Sequence, residues 1–130
     1  MNVKGIDHIA INAKNFKETV RFYRDVLGFR ELNTVVQPDF SAVYLQIPGG
    51  PRMEIFDNMG STKDRCLNDL DAGVKHIAFR VENVKKHEEI LIQNGVDVFF
   101  ETTELPDFKA RVILFHDPNG IVVEFCEPLV

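Results

Sequence analysis

Gly5-Ile6-Asp7-His8-Ile9-Ala10-Ile11 returns later in the chain as Gly73-Val74-Lys75-His76-Ile77-Ala78-Phe79, and Met53-Glu54-Ile55-Phe56 returns as Val123-Glu124-Phe125-Cys126. The chain therefore contains one unit twice. Each copy carries one histidine near its start and one glutamate near its end, at nearly the same spacing. A duplicated unit related by a pseudo-two-fold axis would present two His-Glu pairs, and four such side chains are a ligand set for a metal ion.

Outward from these segments, each half reads as a strand, a helix and three strands. Ile6 to Asn12 alternates, with Ile9 and Ile11 on one face and His8 and Ala10 on the other, the period of a half-buried strand. Asn15, with Glu18 three residues on, opens a helix in the manner of a capping box. Phe16, Val20, Tyr23 and Leu27 follow at helical spacing, and Gly28 ends it. Strands are expected over 29–36, 41–47 and 52–57, with Pro48-Gly49-Gly50-Pro51 turning the chain between the last two. The second half predicts a strand over 73–81, a helix over 83–94 with Val84, His87 and Leu91 on one face and Gly95 as its stop, and strands over 96–103, 109–116 and 121–127. Asp117-Pro118-Asn119-Gly120 is a strong turn. Module one thus spans 1–57 and module two 73–130. The polar stretch 58–72 reads as a linker, with room for a short helix around 62–70 or a flap over a site.

Composition bounds the function. The 130 residues, 45% hydrophobic, suffice for one compact domain or two small modules sharing a core. The net charge of -5 is spread along the chain and recruits no phosphate backbone, so nucleic acid is excluded as a first reading. Cys66 and Cys126 have no C-x-x-C spacing and make no disulfide framework, which suits a reducing cytoplasm. The N-terminal residues lack a secretory h-region, and no window approaches a membrane span.

Strand alternation places His8, Glu54, His76 and Glu124 on the faces turned away from the helices, because Ile9, Met53, Ile55, Ile77, Phe79, Val123 and Phe125 occupy the opposite faces. A single strand Glu is ordinarily solvated and a single His ordinarily hydrogen-bonded structure. Recurrence of both in both copies is what singles these four out. A carboxylate in a trough lined by Val, Phe and Ala stays ionised only with a strong partner, and a divalent cation shared with two neutral imidazoles supplies one. Mixed nitrogen and oxygen ligation fits Ni, Co, Mn, Fe or Zn. Ala10 and Ala78 leave room beside the histidines. Arg52, Arg80 and Arg111 are candidates to hold an anionic substrate group, although arginines on solvated strands are common. Phe56 and Phe99 are candidate pocket walls. His87 and His116 read as structural or surface groups, and Cys126 as an inert thiol.

With these modules and the His-Glu-His-Glu order, the chain resembles the vicinal oxygen chelate superfamily of glyoxalase I, bleomycin-resistance proteins and extradiol dioxygenases. The resemblance runs over nearly all of the chain and rests on Ile6 to Ile11, Phe22-Tyr23-Arg24-Asp25-Val26-Leu27-Gly28-Phe29, Val74 to Phe79, and Asp117-Pro118-Asn119-Gly120 leading to Glu124. It implies an α+β fold of two βαβββ modules forming a curved mixed sheet around a metal-binding cleft, helices outside, in a homodimer whose halves pair within a chain or across it. His8, Glu54, His76 and Glu124 fall where glyoxalase I enzymes place their metal ligands. Similar acyl-CoA epimerases typically carry Gln at the place of Glu54, and extradiol dioxygenases use three protein ligands. The resemblance thus implies a lyase or isomerase that stabilises an enediolate of a small substrate with two vicinal oxygens, with Glu124 as the base and Glu54 as its partner. One position departs from the pattern: glyoxalase I relatives carry a basic, glutathione-holding residue before Val26-Leu27-Gly28, and here it is Asp25, which leaves the thiol open. The rival expectations are a metal-free small-molecule binding protein and an iron-dependent ring-cleaving dioxygenase.

Overall fold

The computed structural model describes residues 1–64 and 70–130, and each copy of the repeat folds there into the same order of elements. Two units result, Met1–Arg65 and Cys66–Val130. The helix considered around 62–70 lies largely outside the described residues. Among the described residues, no helix is long and apolar enough to cross a membrane.

In the first unit, β1 (His8–Ala13), β2 (Arg30–Val36), β3 (Ser41–Gln46) and β4 (Arg52–Asp57) form a four-stranded sheet in the order β1-β4-β3-β2. β1 runs parallel to β4 and the other pairs are antiparallel. Helix α1 (Phe16–Arg21) starts because Asn15, extended at φ -120°, accepts the Glu18 N–H on its side chain at 3.1 Å. The expected helix does not continue to Leu27 as an α-helix. From Phe22 to Val26 it widens into a π-helical turn, with Leu27 N–H reaching Phe22 O at 3.0 Å. The neighbouring rings of Phe22 and Tyr23 are both buried there, edge to face with each other, and Tyr23 stacks on Phe29. Gly28 then adopts φ +83°, a left-handed conformation that ends the helix.

The second unit repeats the plan. β5 (Ile77–Arg80), β6 (Asp97–Leu105), β7 (Ala110–His116) and β8 (Val122–Pro128) lie in the order β5-β8-β7-β6, β5 parallel to β8. β5 is shorter than the 73–81 expected, and its ladder with β8 starts at Ile77↔Val123, so His76 stands just ahead of the strand. Helix α2 (Val84–Gln93) is capped by Asn83, whose side chain accepts the Lys86 N–H at 3.1 Å. The Asp117 turn is held by its own carboxylate, which accepts the N–H groups of Asn119 and Ile121 at 2.7 and 2.9 Å.

In both sheets one face is core. Val43, Leu45, Met53 and Ile55 in the first, and Ile113, Phe115, Val123 and Phe125 in the second, are buried on the side where α1 or α2 packs. Each such side chain contributes roughly 1.5–3 kcal/mol of burial. Strand periodicity then fixes the opposite faces, where the candidate ligands stand.

Candidate functional site

The register of the ladders brings each histidine to its glutamate. In the first unit His8 lies opposite Arg52 and Ala10 opposite Glu54, so His8 and Glu54 share a face one diagonal apart. His8 Nε2 is 3.6 Å from Glu54 Oε1. In the second unit Ala78 lies opposite Glu124, and His76 Nε2 is 3.1 Å from Glu124 Oε2. Among the described residues, no three His, Cys, Asp or Glu side chains form a ready metal cage.

The carboxylates are the more enclosed partners. The Glu54 and Glu124 side chains are 12% and 17% exposed, against 37% and 31% for His8 and His76, which puts the anionic groups where water solvates them least. Ala10 and Ala78 are exposed, so space beside both histidines is open.

The surroundings of the two pairs differ. Asp7 Oδ2 accepts from His8 Nδ1 at 2.8 Å and from the Arg52 guanidinium at 2.8 Å. The hydrogen bond from His8, then that from Arg52, holds the Asp7 carboxyl below its ordinary value. Arg52 also sits 4.4 Å above the Tyr44 ring. Tyr44 is the cross-strand neighbour of Glu54, and a hydrogen bond to that carboxylate, with burial, raises its phenol. In the second unit Leu114 faces Glu124 across the ladder, and Lys75 precedes the histidine. Cys126, two residues past Glu124, is half-buried, and burial followed by the Glu124 charge pushes its thiol up, so it stays protonated.

The other singled-out residues separate clearly. Arg52 is on the His8 face but committed to Asp7 and Tyr44. Phe56 is on that face as well, packed on Phe40 with ring centroids 5.5 Å apart. Arg111 was expected along the trough, and the register corrects this. It pairs with Glu127 while Leu114 pairs with Glu124, so Arg111 stands on the opposite, helix-bearing face. There its guanidinium holds Glu104 and Glu127, and the second Glu127 oxygen accepts the Val84 N–H at the start of α2. Arg80, whose strand neighbour is Cys126, remains exposed on the Glu124 face. Phe99 stacks on His116 at 4.3 Å, and His116 Nδ1 contacts Asp97 at 2.8 Å. His87 Nδ1 bonds the Asn83 carbonyl at 2.7 Å. Both histidines are thus occupied by partners within the second unit.

Sequence reasoning missed Asp7 and Tyr44. Asp7 was in plain view beside His8, but Tyr44 joins Glu54 only through the β3–β4 register, which the Pro48 to Pro51 turn sets. Asp25, flagged for its charge, is paired with Arg24 at 2.8 Å.

Two open four-stranded mixed sheets, each with a His-Glu pair on its helix-free face, define the fold class, and comparison with known proteins agrees. The family model described as Glyoxalase/Bleomycin resistance protein/Dioxygenase superfamily matches residues 5–125, and the chain belongs to that family. It is 26% identical to a lactoylglutathione lyase of Escherichia coli O157:H7, over 92% of this chain and 90% of that one. It is 28% identical to the uncharacterized protein YaeR of Escherichia coli K12, over 98% of each. Among solved structures, a glyoxalase family protein from Enterococcus faecalis superposes with a TM-score of 0.81 at 31% identity, covering 95% of this chain and 98% of that one.

Proposed function

We propose that this chain is a divalent-metal-dependent lyase or isomerase of glyoxalase type, acting on a small substrate with two neighbouring oxygens. His8 and Glu54 from one unit and His76 and Glu124 from the other would hold one ion. The observation that carries the reading is the same His-Glu pair, on the same face, at the same register position, in both units.

The donor set fits a cation. At 3.6 Å, His8 Nε2 and Glu54 Oε1 are beyond hydrogen-bond distance. With Nδ1 donating to Asp7, a neutral His8 would turn a bare Nε2 toward a carboxylate oxygen, an arrangement that a shared positive ion reconciles, whereas His76 Nε2, 3.1 Å from Glu124 Oε2, is within hydrogen-bond distance. Two imidazoles and two carboxylates suit Ni, Co, Mn, Fe or Zn.

Such an ion, held by His8, Glu54, His76 and Glu124, would supply Lewis-acid polarisation of a substrate oxygen. The rest falls to the chain. Glu124 takes the proton from the carbon next to the carbonyl and returns it to the neighbouring carbon, with Glu54 as its partner. Enclosure of the carboxylates keeps water from competing for that proton. Phe56 walls the substrate on the first unit's face. Asp25, already paired with Arg24, gives no cationic grip on the glutathione backbone, so the reading extends to other small thiols and to thiol-free substrates.

Elemental analysis of protein purified without a histidine tag, beside Glu124→Gln, tests the metal. Stoichiometric divalent metal is expected in the wild type and substoichiometric metal in the variant. A wild type that takes up none overturns the reading and leaves a binding protein. Turnover of methylglyoxal with a panel of thiols, followed by the loss of the hemithioacetal, tests the reaction. Gel filtration with and without metal tests the homodimer.

A further inference from the structure

The two His-Glu pairs occupy equivalent register positions but receive very different support. In the first unit Asp7 Oδ2 accepts His8 Nδ1 and an Arg52 nitrogen, each at 2.8 Å. Arg52 lies 4.4 Å over the Tyr44 ring, Tyr44 meets His8 edge to face at 6.0 Å, and Tyr44 is the direct cross-strand neighbour of Glu54. The five side chains form a closed circuit around His8 and Glu54. In the second unit the corresponding positions hold Lys75, Val122 and Leu114. A lysine has no acceptor for an imidazole N–H, and valine and leucine have no polar atoms.

We propose that Asp7, Arg52 and Tyr44 are positioning residues that preset His8 and Glu54 as a metal half-site before any ion binds. This rests on the metal reading given above.

The physical argument has three steps. A histidine ligates through a ring nitrogen that bears no proton, and which nitrogen that is follows from the hydrogen bond of the other. The Asp7 contact at Nδ1 fixes the proton there and directs the bare Nε2 toward Glu54. Arg52 holds the Asp7 carboxylate, which is 77% exposed and would otherwise swing freely, and is itself steadied by the Tyr44 ring. Tyr44, with its hydroxyl at Glu54, restrains the rotation of that carboxylate.

Two measurements test this on the full chain. In metal-free protein, long-range proton–nitrogen NMR spectra of the His8 ring, recorded well above the ordinary imidazole range, report the tautomer. Wild type is expected to be the Nδ1–H form, Asp7→Ala to revert largely to the Nε2–H form, and Asp7→Asn, whose amide oxygen still accepts, to retain the wild-type form. A tautomer unchanged in Asp7→Ala overturns the proposal. In Co(II) titrations, Asp7→Ala and Tyr44→Phe are expected to bind about 10- to 100-fold more weakly than wild type. Wild-type affinity in both variants also overturns it. If wild type itself binds no Co(II), the fault lies in the metal reading, and the proposal falls with it. Far-ultraviolet circular dichroism of each variant confirms that a lost tautomer or affinity is not a lost fold.

Discussion

Glu88 offers a direct test of how the second unit is held together. It lies on α2 with its side chain 5% exposed, and no oxygen of its carboxylate is idle. Oε1 accepts from Lys85 Nζ at 2.7 Å, and Oε2 accepts from the backbone N–H and the hydroxyl of Thr102 at 2.6 and 2.7 Å. The hydrogen bond from Lys85, then those from Thr102, bring its pKa down from 4.5 to about 2. A carboxylate with a lowered folded pKa contributes stability that is fully present above its unfolded value and is lost as pH falls through about 2. At ~1.4 kcal/mol per pKa unit the lowering corresponds to about 3 kcal/mol, and the exposed Lys85 ammonium is screened, which brings it to about 2 kcal/mol. Glu88→Gln, which keeps one acceptor and loses the charge, is expected to cost about 2 kcal/mol in urea unfolding at neutral pH. Glu88→Ala, which orphans Thr102 against α2, is expected to cost roughly 3–5 kcal/mol. The gap between wild type and Glu88→Gln should shrink to roughly half or less near pH 3. A variant within about 0.5 kcal/mol of wild type at neutral pH, or a gap that does not narrow on acidification, refutes the reasoning.

Other substitutions separate face from face. Arg80 is exposed on the Glu124 face and has no carboxylate partner among the described residues; Arg80→Met is expected to raise KM for an anionic substrate severalfold with little change in kcat, read by steady-state kinetics. Arg111→Met, on the helix-bearing face, is expected to lower the melting temperature and leave KM unchanged, because it frees Glu104 and Glu127 without touching the ligand face. Asn83→Ala removes the side-chain cap of α2 and is expected to cost about 1 kcal/mol in urea unfolding.

Much of this molecule is legible in its sequence, for identifiable reasons. The repeat gives the element order twice, and period-two alternation puts His8 with Glu54 and His76 with Glu124 on helix-free faces, because the opposite faces are filled by Met53, Ile55, Val123 and Phe125. Features that depend on pairing between distant strands were not legible. Arg111 differs in face from Leu114 by an odd number of residues, and which of them meets Glu124 follows from the Asp117 turn register. Helical spacing gives no sign that Glu88 is buried, because its partners are Lys85 one turn away and Thr102 on β6. The widening at Phe22 to Val26 has no signature in helical spacing, since Val20 and Tyr23 satisfy an α-helix as well.

The backbone ladder and the side chains around it therefore answer different questions. In both units the glutamate is centred between an alanine on the parallel strand and a neighbour on the antiparallel one, Ala10 and Tyr44 for Glu54, Ala78 and Leu114 for Glu124. That common register suffices to bring a histidine and a carboxylate together, with no help from Asp7, Arg52 or Tyr44, as the second unit demonstrates at 3.1 Å. The extra circuit in the first unit is thus not needed to assemble a pair. On the proposal above, it would fix which imidazole nitrogen is bare and how the carboxylate is turned, properties that matter to a bound ion and scarcely to a folded chain. A requirement of the fold would be expected in both copies; a device that presets one metal half-site needs to appear in only one.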